Sequence, residues 1–136
     1  MDSAPNHFIL SEKLHHAVYK KLEKFSFQGS SPQINPIAIV LGGQPGSGKS
    51  ELLNASYEEI PNKNAVMING DDFRQWHPYI EQIRLTDEAN MAALTDPDVR
   101  SWTKRLFDTA ISTKRNVVFE GTMRNKDPIS ETMGRL

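Results

Sequence analysis

Residues 37–50 read Ile-Ala-Ile-Val-Leu-Gly-Gly-Gln-Pro-Gly-Ser-Gly-Lys-Ser, an apolar run followed directly by a glycine-rich segment that ends in lysine and serine. The apolar part, residues 37–41, is typical of a strand that is buried on both faces of a parallel sheet. Residues 43–50 fit the pattern Gly-x-x-x-x-Gly-Lys-Ser/Thr at every fixed position. A buried strand that leads through such a loop into a helix predicts an α/β fold with a phosphate-binding loop after its first strand.

The residue types of this loop suit the binding of a phosphate chain. Glycines let backbone N–H groups approach phosphate oxygens, and the N-terminus of the following helix adds a favourable dipole. In this pattern Lys49 reaches the β and γ phosphates and the hydroxyl of Ser50 binds magnesium. The alternative is a glycine-rich turn without a ligand. We predict a site for ATP or GTP with Mg²⁺, formed by Gly43, Gln44, Pro45, Gly46, Ser47, Gly48, Lys49 and Ser50.

A second polar segment, residues 69–74 (Asn-Gly-Asp-Asp-Phe-Arg), follows the second predicted strand, residues 65–68. Ligands of open α/β sheets bind at the carboxyl ends of the strands, so we expect this segment at the same edge as the loop. Of Asp71 and Asp72, one can accept the proton of an attacking hydroxyl while the other binds magnesium or caps the next helix. The alternative is that Asp71 is an ordinary cap and Asp72 a first-turn residue.

A third polar segment, residues 120–124 (Glu-Gly-Thr-Met-Arg), follows the third predicted strand, residues 116–120. The same topological position predicts that its polar groups face the same crevice. Arg124 could bind phosphate, and Glu120 could hydrogen-bond a substrate or a metal-bound water. A tight turn with solvated charges is the alternative.

Other polar and aromatic residues give weaker signals. His77 either contacts substrate or is a satisfied loop histidine. His15 and His16 are expected to be solvated, and Trp102 is expected in the core rather than in a stacking platform.

The rest of the chain alternates helices with the three strands. Ser11 caps a predicted amphipathic helix over residues 11–26, and another helix is predicted over residues 49–57. Asp96-Pro97 predicts a cap and a first-turn proline for a helix that ends near Thr113, and Asp127-Pro128 repeats that signal for a last helix. The inward positions of the two longer helices are Leu14, Val18, Leu22 and Phe25, and Val99, Trp102, Leu106, Ala110 and Ile111.

Strands separated by helices predict a parallel sheet with helices on both faces. Three strands are few for that design. In nucleotide-binding sheets of this type the phosphate-loop strand has neighbours on both sides, whereas this chain supplies partners for one side. We expect an unpaired edge on the first strand, covered by more of the same fold or by another polypeptide.

Length, charge and cysteine content exclude several classes of protein. The 136 residues, 15.4 kDa, suffice for a single domain with its own core. Sixteen basic and 17 acidic residues give a net charge of −1, without the basic footprint of a nucleic-acid-binding protein. The absence of cysteine excludes disulfides and thiolate zinc sites. The longest apolar run is far shorter than the roughly 20 residues of a spanning helix. We expect a cytoplasmic protein with neither nucleic acid nor membrane as a partner.

The three polar segments together resemble the zeta toxin family of bacterial toxin–antitoxin systems, P-loop kinases that act on nucleotide sugars. The matching stretches are residues 41–50, 68–78 and 120–124, in family order and spacing. The patterns Asp-x-Phe-Arg/Lys-x-x-His-Pro and Glu-Gly-Thr-x-Arg in succession are diagnostic, and the similarity runs from about residue 37 to the C-terminus. The implied organisation is an N-terminal helix and linker, residues 1–35, and the N-terminal half of a P-loop kinase domain, residues 36–136.

The resemblance implies ATP-dependent phosphorylation of a hydroxyl of a nucleotide sugar such as UDP-N-acetylglucosamine, and an antitoxin as a protein partner. Asp71 looks like the general base, with Lys49 and Ser50 as the phosphate and magnesium ligands. Residues 120–124 look like part of the sugar-nucleotide pocket. The predicted substrate-binding set is Asp72, His77, Glu120, Thr122 and Arg124.

Two departures from the family pattern bear on activity. The family's substrate-contacting glutamate would fall near Lys104, where the charge is reversed, so the sugar nucleotide stays open. The family's later arginines, which clamp the transferring phosphoryl group, lie in a C-terminal half that this chain does not contain. Such an arginine is worth about 10³ to 10⁵ in rate. We therefore expect the isolated chain to bind nucleotide weakly and to turn over poorly or not at all.

Two other functions stay open. One is a truncated, non-catalytic relative that binds an antitoxin or a partner subunit. The other is a kinase for a different small acceptor, such as an antibiotic. The N-terminal helix is either a structural layer, an internal inhibitor over the nucleotide cleft or an antitoxin-binding face.

Overall fold

The computed structural model describes residues 6–41, 60 and 64–120. The helices predicted over residues 49–57 and from residue 127 lie outside these ranges. Short 3₁₀ turns at Arg74–Trp76 and Glu88–Asn90 separate the later helices. The elements are α1 (Glu12–Ser26), β1 (Ala38–Leu41), β2 (Val66–Asn69), α2 (Gly70–Phe73), α3 (Ile80–Asp87), α4 (Met91–Ser112) and β3 (Val117–Glu120).

The three strands form one parallel sheet in the order β1-β3-β2. They match the predicted strands to within one residue at each end, and the predicted α/β fold with a parallel sheet is confirmed. Within the described ranges β1 pairs with β3 alone. Ile37, just before β1, is 51% exposed, so the start of this strand lies at an open edge.

Alternating side chains divide the core between the two faces of the sheet. One face carries Val66 and Ile68 of β2 and packs with α1 and α4 in the larger hydrophobic cluster. The opposite face carries Val118 of β3 with Ile60 and Ala65 in a smaller cluster. All four residues of β3 are buried, as expected for the central strand.

The long helix α4 begins earlier than the sequence predicted. Asp96-Pro97 was expected to start it, but the helix begins at Met91 and Pro97 lies inside it, so that prediction is wrong. Proline lacks an N–H and leaves one carbonyl of the preceding turn without its helical donor. Contacts from outside the helix stabilise this first part, since Arg74 donates to Ala92 O (3.1 Å) and to Thr95 Oγ1 (2.6 Å). From Val99 onward the predicted inward stripe is confirmed by burial of Val99, Trp102, Leu106 and Ala110.

Helix α1 begins where the sequence predicted, because the Ser11 hydroxyl accepts from Leu14 N–H at 3.2 Å. Its buried residues, Val18, Tyr19 and Leu22, join the core formed with α4 and the sheet. Phe25 was predicted to face inward but is 60% exposed, with its ring 5.4 Å from that of Trp76. The helix ends one residue later, at Ser26, so its last turn extends past the body of the core.

The expectation of a solvated His15 is wrong. Its Nδ1 lies 2.5 Å from Asp98 Oδ1, and its ring stacks on Trp102 with centroids 5.3 Å apart. Trp102 is fully buried, as predicted, and its indole N–H donates to His15 O at 3.1 Å. His16 is exposed, with Nδ1 3.0 Å from Arg105 Nη1. α1 is therefore held to α4 by polar contacts as well as by apolar burial. The division of the chain at residue 35 stays a prediction.

No helix in the described part of the chain is both long enough and apolar enough to cross a membrane.

Candidate functional site

The carboxyl ends of the three strands lie in one row. Leu41 of β1 and Asn69 of β2 are both in register with Glu120 of β3. In an open α/β sheet this is the edge at which ligands bind. The three polar segments follow these residues in the chain. Residues 43–50, Thr122 and Arg124 lie outside the described ranges, so their predicted roles stay predictions.

Asn69 joins the second and third segments. Its Nδ2 donates to Glu120 Oε1 at 3.1 Å, and its Oδ1 accepts from the N–H of Asp71 at 3.0 Å. Glu120 is only 6% exposed, and a buried carboxylate needs such a donor. Sequence analysis gave Asn69 no role, although asparagine directly before Gly-Asp-Asp is a good N-cap signal.

Asp71 and Asp72 occupy the first turn of α2, where negative charge is favourable. The alternative that Asp71 is the cap is wrong, because Asn69 caps this helix. The side chain of Asp71 is 89% exposed, and Asp72 is exposed as well. α2 can lie close to α4 because a Cβ on Gly70 would already be 3.4 Å from Thr103 Oγ1. The strand end thus presents a solvent-accessible carboxylate whose backbone position is fixed.

Arg74 is a site residue to which sequence analysis assigned no function. Its Nη2 donates to Asp71 Oδ1 at 3.3 Å, and its Nη1 lies 2.8 Å from Asp96 Oδ1 on α4. Its place in the Asp-x-Phe-Arg pattern was the one signal in the sequence. Its contacts could not be predicted, because its partners on α4 are about twenty residues away in the chain.

His77 is fully buried rather than at the exposed edge. Its Nδ1 accepts from Tyr79 N–H at 3.1 Å, and its Nε2 lies 3.7 Å from Asp98 Oδ2. Burial lowers the pKa of His77, because desolvation disfavours the imidazolium, and the nearby Asp98 charge offsets part of that effect. Nδ1 therefore has a hydrogen-bond partner, whereas the buried Nε2 has none in the described part of the chain, so the alternative of a fully satisfied loop histidine is wrong. A role in substrate binding stays a prediction.

Lys104 lies on α4, the helix before β3, as the sequence predicted, and its Nζ is 2.7 Å from Asp108 Oδ2. Among residues 6–41, 60 and 64–120, no three metal-ligating side chains come together. At the described edge the exposed carboxylate of Asp71 is available to accept a proton.

Comparison with known proteins finds one family throughout. The family model described as Zeta toxin matches residues 23–136. The toxin zeta of Enterococcus hirae is 34% identical over 100 residues, 74% of this chain and 35% of the relative. The toxin PezT of Streptococcus pneumoniae is 30% identical over 117 residues, 86% of this chain and 46% of the relative.

A solved structure from the characterisation of the PezAT chromosomal toxin–antitoxin system of Streptococcus pneumoniae has a similar fold. It aligns with a TM-score of 0.84 at 25% identity, covering 93% of this chain and 52% of that chain. The chain thus spans from about a third to about half of the length of the proteins that it matches.

Proposed function

Because this chain belongs to the zeta toxin family, we propose that it carries the nucleotide-binding and acceptor-activating part of an ATP-dependent kinase. The proposed acceptor is a hydroxyl of a nucleotide sugar such as UDP-N-acetylglucosamine. ATP, or GTP, is the proposed phosphate donor and residues 43–50 its binding loop.

One observation carries the proposal. The carboxylate of Asp71, 89% exposed, comes just after the row of strand ends, and residues 43–50 come just after β1 in the sequence. The register of Leu41, Asn69 and Glu120 supports placing the base and the phosphate chain at one edge. The bridge from Asp71 through Asn69 to Glu120 supports a fixed starting position for the base, which is what proximity catalysis requires.

In the proposed reaction Asp71 accepts the proton of the acceptor hydroxyl. The hydroxyl oxygen forms a bond to the γ-phosphorus, and the bond from that phosphorus to the β–γ bridging oxygen breaks, which releases ADP. Lys49 is proposed to bind the β and γ phosphates. Substrate contacts are proposed for Asp72, His77, Glu120, Thr122 and Arg124.

The residue types at this edge fit magnesium, which prefers oxygen ligands. With Asp71 as the base, the exposed carboxylate of Asp72 and the hydroxyl of Ser50 are the proposed ligands. When bound, Mg²⁺ neutralises charge on the β and γ phosphates.

A protein partner and a cellular location complete the proposal. The family model is that of a toxin, and the solved structure comes from a toxin–antitoxin system. By analogy we place this chain in the cytoplasm with an antitoxin as its partner.

The test is transfer of the γ-phosphate from labelled ATP to UDP-N-acetylglucosamine with Mg²⁺. The chain is used in excess over ATP because we expect slow turnover. Labelled sugar nucleotide is expected from the parent chain and from Lys20→Ala, an exposed lysine on α1, but not from Lys49→Ala. Label on an aminoglycoside or phenicol instead would reassign the acceptor. Absence of any labelled acceptor together with no heat of ATP binding in calorimetry would reject the kinase proposal for this chain.

A second candidate, a non-catalytic binding protein, is favoured by the edge of β1 that pairs with no other strand in the described part of the chain. Size-exclusion chromatography separates the two candidates. A binding protein is expected to dimerise or to capture an antitoxin through that edge while transferring no phosphate, whereas a monomer that transfers phosphate rejects this candidate.

A further inference from the structure

The guanidinium of Arg74 lies between the proposed base and the long helix. Arg74 follows α2 directly, and its side chain is only 13% exposed. Its Nη1 is within hydrogen-bond distance of three acceptors on α4. Its Nη2 donates to a fourth acceptor, which lies on α2. These acceptors are Ala92 O at 3.1 Å, Thr95 Oγ1 at 2.6 Å, Asp96 Oδ1 at 2.8 Å and Asp71 Oδ1 at 3.3 Å.

The two ends of this arrangement differ in their exposure to solvent. Thr95 is buried, and its own hydroxyl donates to Met91 O at 2.8 Å, so the α4 side is part of the packed interior. Asp71, in contrast, has 89% of its side chain in solvent. A planar guanidinium fixed through one nitrogen also fixes the direction of the other, which lysine cannot do.

An exposed ion pair between residues three apart stabilises a helix only weakly, because both side chains stay mobile. The pair of Arg74 and Asp71 is different because one partner is already immobilised by its contacts with α4. The entropic cost of ordering therefore falls on a single short side chain, that of Asp71.

We propose that Arg74 is a positioning residue that holds the Asp71 carboxylate in one rotamer at the edge of the sheet. Its importance for catalysis rests on the proposed function of Asp71 as the base. Asp96 supplies a second carboxylate to the same guanidinium, so among the described residues the Asp71 carboxylate makes a single 3.3 Å contact and keeps its other oxygen for the acceptor hydroxyl.

The test is the side-chain rotamer of Asp71 in the 136-residue chain, measured from three-bond NMR couplings about χ1. The matched control within each spectrum is Asp72, which is exposed in the same turn. In the parent chain we expect a single rotamer for Asp71. In Arg74→Met we expect averaged couplings for Asp71 and unchanged couplings for Asp72, and in Arg74→Lys an intermediate result.

If Arg74→Met does not fold, the same couplings are measured in Thr95→Val. This variant removes the shortest hydrogen bond of the guanidinium to α4, 2.6 Å, and keeps the arginine. There the Asp71 couplings are expected to shift toward averaging. Averaged couplings for Asp71 in the parent chain would overturn the proposal. So would couplings that no variant changes, or equal changes at Asp71 and Asp72, which would mean that Arg74 only stabilises α2. The measurement needs no turnover, so an ordered Asp71 in a chain without kinase activity would reject the kinase function alone.

Discussion

Helix α4 is in contact with two carboxylate clusters, one of which exposes its aspartate to solvent while the other buries it. The edge cluster consists of Asn69, Asp71, Arg74 and Glu120 and leaves Asp71 in solvent. The interior cluster consists of Leu10, His15, His77 and Asp98, and the side chain of Asp98 is only 5% exposed.

In the interior cluster both carboxylate oxygens are occupied. Asp98 Oδ2 accepts from Leu10 N–H at 3.0 Å, and Oδ1 lies 2.5 Å from His15 Nδ1. A buried charge is stable only when it is paired in this way. In the edge cluster the Asp71 carboxylate has one partner among residues 6–41, 60 and 64–120, and 89% of its side chain is exposed. Both residues are aspartates. A carboxylate is thus available for chemistry when its oxygens keep free lone pairs, and it maintains the fold when both oxygens are occupied.

The largest effect should follow from Asp71→Asn. General-base catalysis contributes about 10²- to 10⁴-fold, so we expect a loss of that size in phosphate transfer with ATP affinity nearly unchanged. Asp72→Asn is the matched control and should raise the acceptor KM rather than abolish transfer. Rate measurements at varied acceptor concentration separate the two effects. Equal losses in both variants would remove the distinction between the two aspartates.

Asp98→Ala should have the opposite profile. It leaves the buried Leu10 N–H without its acceptor and removes the partner of His15, and a buried donor left unsatisfied costs about 1 to 3 kcal/mol in free energy of unfolding. Asp98→Asn keeps an acceptor for Leu10 N–H and should cost less. Urea denaturation measures both values, and calorimetry of ATP binding below the transition should give the parent affinity. A chain that is as stable with alanine as with aspartate would show that the interior cluster is not structural.

The smallest effect is a pH dependence that originates in the interior cluster. Burial lowers the pKa of His77 in the folded chain below its value of about 6.5 in the unfolded chain. The unfolded chain therefore binds the additional proton first, and His77 contributes stability above about pH 6.5 that is lost as the pH falls toward its folded pKa. Urea denaturation at pH 7.5, 6.5 and 5.5 should show that decline, with a shallower slope in His77→Gln. An equal slope in the variant would assign the dependence to other groups.

Local patterns were sufficient to predict the parallel sheet and the start of α1. The apolar runs at residues 37–41 and 117–119 and the cap at Ser11 each depend on neighbouring residues, so a sequence displays them directly. The polar segments after the strands predicted the edge at which Asn69 links the backbone of Asp71 to the carboxylate of Glu120.

What the sequence did not predict depends on contacts between distant residues. Helix α3 and the early start of α4 were missed. The early start of α4 has no local signal, because Arg74 stabilises the turns before Pro97 from about twenty residues away. The contact of His15 with Asp98 joins residues 83 apart, and no local pattern distinguishes it from a solvated histidine. The link from Asn69 to Glu120 required the register of two strands, which strand propensity does not provide.

The most direct test of the central claim is an NMR titration of the chain with ATP and Mg²⁺, which follows the backbone amides of both clusters. If the phosphate chain binds at the carboxyl edge of the sheet, the signals of Asn69, Asp71 and Glu120 should shift. Those of Leu10, His15 and Asp98 should stay in place, and Lys49→Ala should show no shifts. Shifts confined to the interior cluster, or none at saturating ATP, would contradict the account.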